Sequence, residues 1–246
     1  MRKQIQESAA ALSMETLVLI PGLLCNRRLW SAQIAALSAH ADIYVPEIVG
    51  QTTIAHMASA ILDSIRGRFS LAGFSLGSQV ALQIMELAAD RIDRLALLSA
   101  THGGLLPPVQ EALRIAILTI ERGGFAEYLE SAYPTYVTSS HARDRDMRQS
   151  FMDMAYEVGP ASGLLQMKAL LDLKKPFRDL GQISCPTIVI GGSEDRRTTP
   201  AAHEILAREI PHASLLFIEH AAHFTPLEQP AQVTAALRWM EQVPAT

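Results

Sequence analysis

The stretch FSLAGFSLGSQVAL, residues 69–82, constrains this chain more than any other. It opens on a short apolar run that reads as a buried strand. It then passes through Gly73-Phe74-Ser75-Leu76-Gly77 and continues with Leu76, Val80 and Leu87 at helical spacing. A G-x-S-x-G sequence between a strand and a helix predicts a sharp, strained turn that lifts the serine clear of a sheet edge. Glycines at 73 and 77 leave no side chains to block such a turn. A serine hydroxyl is a weak nucleophile until a base reaches it, so Ser75 is a candidate that needs partners. The helix that follows aims free backbone N–H groups, Leu76 first, at charge developing on an attacked carbonyl oxygen. The bare pattern also occurs in ordinary Gly-rich turns, where the serine is structural; the surrounding chain decides between the two.

That surrounding chain alternates. Residues 16–20, 42–45, 69–72 and 94–99 read as strands, with helical patterns over 29–37, 54–65 and the stretch after Ser75 between them. Such β-α-β alternation predicts an α/β fold with a mostly parallel, doubly wound sheet. The rhythm stops from 105 to 175, where only helical patterns appear: 109–122, 125–132, 141–158 and 161–173. Gly123-Gly124, Pro134 and Gly159-Pro160 separate them. It resumes with strands over 186–191 and 214–219 and helices over 201–210 and 229–240, giving about six strands in all. The expected division is a core in two parts, 1–104 and 176–246, with a helical insertion over 105–175.

Composition excludes several classes of function. The net charge of −4 provides no basic stripe, so nucleic acid is not an expected partner. Cys25 and Cys185 are too few for a disulfide scaffold and fit a reduced, cytoplasmic setting. No Cys/His cluster has the spacing of a metal site, and no apolar run is long enough to span a membrane. Residues 1–13 read as a polar lead-in with too short an apolar stretch for a signal peptide. Neither cofactor nor metal is expected; the partner is a small-molecule substrate, and the chain is a monomer or homodimer.

A nucleophilic serine in this architecture takes its acid and then its base from later strand ends, in that chain order. The strand over 186–191 ends in Gly192-Ser193-Glu194-Asp195, and the strand over 214–219 ends in His220-Ala221-Ala222-His223. Both loops lie at carboxyl ends of parallel strands, on the same edge as Ser75. Glu194 competes with Asp195 for the acid, and His220 with His223 for the base. From about residue 16 to 240 the sequence resembles the α/β-hydrolase family. The family's acid stretch, Gly-x-x-Asp-x-x-x-x-Pro, is matched by Gly192, Asp195 and Pro200. Its small-small-His-apolar stretch before Leu-Glu-x-Pro is matched by His223, Leu227, Glu228 and Pro230. The resemblance therefore implies Asp195 and His223. The His-Gly that ends the family's strand before the first crossover is matched by Pro21-Gly22, with proline in place of histidine. The resemblance then implies an oxyanion hole from the N–H groups of Leu76 and Leu23, with Leu24 as the alternative to Leu23. The antiparallel strands with which many members begin are not expected here.

The resemblance also implies that the insertion caps the site and shapes its pocket. It holds four tyrosines and four methionines, and the helix near Ile117 is apolar on more than one side, so one face can pack while the other lines a cavity. Expected substrate contacts are Leu24, Cys25, His102, Ile117, Leu118, Met152 and Met154. The remaining histidines, His203 among them, are expected on surfaces or at caps. Arg196 and Arg197 flank the acid and are the available anchors for a charged group. The expected activity is cleavage of a carboxylic ester or thioester of a small to medium, largely apolar substrate. The same motifs serve enol-lactonases, C–C bond hydrolases and haloperoxidase-like members, and a ligand-binding sensor on this scaffold is the alternative from another class.

Overall fold

The strands that read as unbroken apolar runs form the middle of one sheet. The computed structural model describes residues 14–102, 104–173 and 179–242; the polar lead-in and the expected boundary at 175 lie outside them. The sheet has six strands in the order β2-β1-β3-β4-β5-β6, and every neighbouring pair is parallel. These are β1 (Thr16–Ile20), β2 (Asp42–Tyr44), β3 (Phe69–Phe74), β4 (Ile92–Leu98), β5 (Thr187–Gly192) and β6 (Ser214–Ile218). β3 and β5 are buried at every position, as strands covered on both faces must be. The edge strands β2 and β6 keep half-exposed and exposed positions.

The register sets the site. Ile20 pairs with Gly73, Phe74 with Leu98, Leu98 with Ile190, and Gly192 with Ile218, so the strands finish at one level. The chain moves one way from β1 to β2 and the other way from β3 onward. The switch point between β1 and β3 is where open parallel sheets form their binding crevice. Right-handed crossovers then put α1 (Ser31–Leu37) on one face and α2 (Ile54–Ser64) and α3 (Leu76–Ala88) on the other. The packing agrees: α2 lies against α3, and α1 against α9 (Pro230–Gln242).

Between β4 and β5 come α4 (Pro107–Glu121), α5 (Phe125–Tyr136) and α6 (Arg145–Leu171). α4 starts on Pro107-Pro108, where a missing N–H costs nothing, and Asp144 caps α6 by accepting from the N–H groups of Asp146 and Met147. The break expected at Gly159-Pro160 is present as a kink, with Gly159 at φ 79° and ψ 161°. Such backbone suits glycine alone. The end of α5 differs from expectation. α5 does not stop before Pro134 but runs on to Tyr136. Pro134 leaves the carbonyl of Glu130 without its helical partner, and that residue is exposed to water. Leu129, Tyr133, Phe151, Met154 and Met167 of these helices belong to the same buried cluster as the sheet. α7 (Pro200–Glu209) and the short α8 (Thr225–Glu228) complete the fold. No described helix is long and apolar enough to cross a membrane.

Candidate active site

The turn after β3 has the strain its sequence predicts. Ser75 sits at φ 53° and ψ −112°, and its N–H donates to the Leu98 carbonyl (2.9 Å). A β-carbon at Gly73 would lie 2.3 Å from the Gly77 carbonyl oxygen, and one at Gly77 would lie 2.4 Å from that of Ile20. Backbone occupies both spaces, so only glycine fits either side of the serine. Ser78, one turn on, donates to the carbonyls of Gly73 (2.6 Å) and Leu98 (2.8 Å) and ties the helix start to two strands. Non-glycine backbone at positive φ costs about 1–3 kcal/mol, here held by those bonds.

Three side chains from three strand ends meet at this turn. Ser75 Oγ lies 2.9 Å from His223 Nε2, and His223 Nδ1 lies 2.8 Å from Asp195 Oδ2. A carboxylate can only accept, so Nδ1 carries the ring proton and Nε2 is left to accept from the serine. Asp195 is buried and fully partnered. Its Oδ1 accepts from the N–H groups of Arg197 (2.8 Å) and Thr198 (3.0 Å), and its Oδ2 also accepts from the Thr198 hydroxyl (2.5 Å). Burial raises its pKa, but the His223 imidazole and the hydrogen bonds from His223 and Thr198 outweigh burial and hold it at about 2. Glu194 and His220, the competing members of each pair, are both exposed. His220 sits at φ 56° in the turn after β6, which directs the chain back so that His223 reaches the serine.

The helical insertion grips the His223 loop. The Tyr136 carbonyl, freed by the end of α5, accepts from the N–H groups of His223 (2.9 Å) and Phe224 (3.1 Å). Glu228, with its carboxylate buried, accepts from the N–H groups of Ala222 (2.7 Å) and Thr138 (2.7 Å) and from His141 Nδ1 (3.0 Å). The sequence marks Glu228 only as part of a motif; two of its partners, Thr138 and His141, are remote in the chain. Ser99 donates its hydroxyl to the His223 carbonyl (2.8 Å).

On the other side of the serine, Leu23 and Leu76 both line the cavity above Ser75. Gly22 to Cys25 form a turn closed by Cys25 N–H to Gly22 C=O (3.1 Å), with Leu24 at φ 55°. The Leu24 N–H is taken: it donates to Gln166 Oε1 (2.9 Å), whose amide nitrogen donates to the Ile48 carbonyl (2.9 Å). No sequence signal ties Gln166, on α6, to a loop more than a hundred residues earlier.

The expected substrate contacts are redistributed. The cavity beside Ser75 is walled by Leu105, Leu106, Val109 and Leu113 of α4 and its approach, by Leu170, and by Phe74, Tyr136 and Phe224, with Gln79, Thr101 and Arg197 as polar members. None of Leu24, Cys25, His102, Ile117, Leu118, Met152 and Met154 lines it. Leu24 packs against Gly163 of α6, Ile117, Met152 and Met154 are buried in helix packing, and Leu118 is 51% exposed. α4 does use separate apolar faces, but the cavity face runs through its first turns, at 106, 109 and 113. His102 points away, with Nδ1 2.9 Å from Glu209 of α7. Cys25 lines a different cleft, and burial pushes its thiol up to about 12 against the opposing bond to Gly22, so it is no nucleophile at neutral pH. His203 is buried rather than on a surface. It accepts from the Ala100 N–H (3.2 Å) and donates to the Thr199 carbonyl (3.0 Å), and burial lowers its pKa, so it stays neutral. Among the described residues no group of three His, Cys, Asp or Glu side chains is placed to hold a metal ion.

The model of the Alpha/beta hydrolase family matches residues 17–237. The chain is 22% identical to a pimeloyl-[acyl-carrier protein] methyl ester esterase of Nitrosomonas europaea, over 88% of this chain and 91% of that one. Among solved structures it superposes on a thermophilic esterase from Thermogutta terrifontis with a TM-score of 0.83 and 26% identity, covering 94% of this chain and 91% of the other. It superposes on the enol-lactonase from Burkholderia xenovorans LB400 with a TM-score of 0.84 and 21% identity, covering 93% and 92%. The latter likeness is one of fold.

Proposed function

Because the chain belongs to the alpha/beta hydrolase family, we propose that it is a serine hydrolase that cleaves carboxylic esters or thioesters of small to medium, largely apolar substrates through an acyl-enzyme. The observation that carries this reading is the hydrogen-bonded line Ser75–His223–Asp195 opening on a mainly apolar cavity.

Ser75 Oγ attacks the carbonyl carbon while His223 Nε2 takes its proton. Asp195 keeps the proton on Nδ1 and stabilises the imidazolium that forms. The carbonyl oxygen becomes an oxyanion and is met by the N–H groups of Leu76 and Leu23, a pair of donors worth about 10²- to 10³-fold each in such sites. His223 then returns its proton to the departing alcohol or thiol. Water, deprotonated by the same imidazole, clears the acyl group from Ser75. The nucleophile, base, acid and donors all come from the chain, so the proposed chemistry calls for no cofactor. In this reading the helices between β4 and β5 act as a cap: they supply most of the apolar wall and fix the His223 loop through Tyr136 and Glu228.

Ranking variants tests the assignment. Asp195→Asn and His223→Ala are expected to lower kcat on a p-nitrophenyl ester by about 10³-fold or more. Glu194→Gln and His220→Ala are expected to cost less than about tenfold, as exposed neighbours. The reverse ranking in either pair would move the role to the other residue.

A further inference from the structure

The cavity beside Ser75 is narrow, about 50 Å³, and two larger clefts of about 590 and 380 Å³ lie next to it. Among the described residues Arg197 is the one that lines all three. Its position is fixed from several sides. Its guanidinium lies over the Tyr136 ring, 4.3 Å from the centroid, and Nη1 is 3.4 Å from the Thr135 hydroxyl. Its own backbone N–H donates to Asp195 Oδ1, which sets it in register with the Ser75–His223–Asp195 line. Among the described residues no carboxylate side chain pairs with this guanidinium. Arg143 and Arg196 add like charge to the wider cleft, against Glu194 alone.

A fixed, half-buried cation at the junction of an apolar cavity and two clefts has a chemical consequence. An ester too long for the inner space extends past Arg197. If its far end is neutral it gains nothing there. If it is a carboxylate, the planar guanidinium donates to both its oxygens and offsets the cost of bringing an anion among apolar walls. We propose that Arg197 forms an anion-binding subsite at the mouth of the cavity, so that the favoured ester carries a carboxylate at the end remote from the scissile bond. This rests on the ester-cleaving reading above and narrows its substrate class.

The test compares matched pairs of esters. One pair puts the charge on the acyl side: monomethyl adipate against the methyl ester of its ω-amide. The other puts it on the alcohol side: para-acetoxybenzoate against para-acetoxybenzamide. The readout is the ratio of kcat/KM for anion over amide, in which loss of folded protein cancels. In one pair the wild-type ratio is expected to exceed about ten, to fall by about tenfold or more in Arg197→Met, and to take an intermediate value in Arg197→Lys, which keeps the charge but loses the planar fork. The pair that responds identifies the side. Equal ratios in wild type and Arg197→Met, in both pairs, would overturn the proposal. Calorimetric titration of monomethyl adipate and para-acetoxybenzoate into Ser75→Ala, and into Ser75→Ala with Arg197→Met, reads the subsite without turnover. Should wild type hydrolyse no ester, the hydrolase reading fails, and this titration still decides the subsite: about tenfold weaker binding of either anion without Arg197 supports it, equal affinity refutes it.

Discussion

Replacing Gln166 by alanine is expected to damage both the fold and the chemistry, although Gln166 touches none of the three reacting side chains. Its amide is 1% exposed and bridges two buried backbone groups, accepting from Leu24 N–H and donating to Ile48 C=O, both at 2.9 Å. Alanine leaves one donor and one acceptor without partners. Each such orphan costs about 1–3 kcal/mol, so the pair costs roughly 2–6 kcal/mol before relaxation. Part is recovered, because Leu24 at φ 55° is strained by about 1 kcal/mol and can rotate once its N–H is released. A net loss of roughly 1–5 kcal/mol should appear as a lower urea midpoint. The same rotation disturbs the turn that presents Leu23. In the proposed mechanism that N–H is engaged by developing charge, so kcat should fall by about 10- to 100-fold while KM moves by less than about threefold. Gln166→Met, which fills the space without either hydrogen bond, separates a lost bond from a cavity and should reproduce the kcat effect. Wild-type midpoint and kcat in both variants would refute the idea that α6 holds this loop.

Asp195 makes a pH-dependent contribution to stability whose sign follows from its lowered pKa. Its folded value of about 2 lies below the ordinary 3.8, so the contribution, roughly 2 kcal/mol, is complete above about pH 5 and is lost as pH falls through 2. The stability gap between wild type and Asp195→Asn, from urea unfolding at stepped pH, should therefore shrink between about pH 5 and 2; a gap independent of pH would contradict the depressed value. Val109→Ala, at the cavity wall, should change the kcat/KM ratio of a long to a short ester by about tenfold, since one methylene in such a pocket is worth about 1–3 kcal/mol. Leu118→Ala, at a position 51% exposed, should leave that ratio within about twofold, and equal effects at the two positions would count against the wall described above.

The features legible in the sequence are those written in local chain geometry. The elbow around Ser75 is spelled by glycines that backbone contacts make obligatory, and the parallel strands are spelled by unbroken apolar runs. Parallel strands that finish level put the residues after them on one edge, which is why Ser75, Asp195 and His223 meet in space as their loops suggest. The cavity wall was not legible in the same way. α4 has apolar residues on several sides, and only tertiary packing decides that Leu106, Val109 and Leu113 face the cavity while Ile117 packs and Leu118 meets water. Gln166, Tyr136 and Glu228 act through backbone groups of distant segments, and such bonds leave no periodicity or spacing to read. His102 and His203 depart from expectation because burial and a partner on α7 depend on how that helix packs beside β5.

The central claim is that Ser75 is the nucleophile of an ester-cleaving site. Its most direct test is intact-protein and peptide mass spectrometry after treatment with a fluorophosphonate. One adduct per chain is expected, on the peptide that contains Ser75, forming at the rate at which esterase activity disappears and absent from Ser75→Ala. Full labelling and full activity in Ser75→Ala, or an adduct mapped to any other residue, would contradict it.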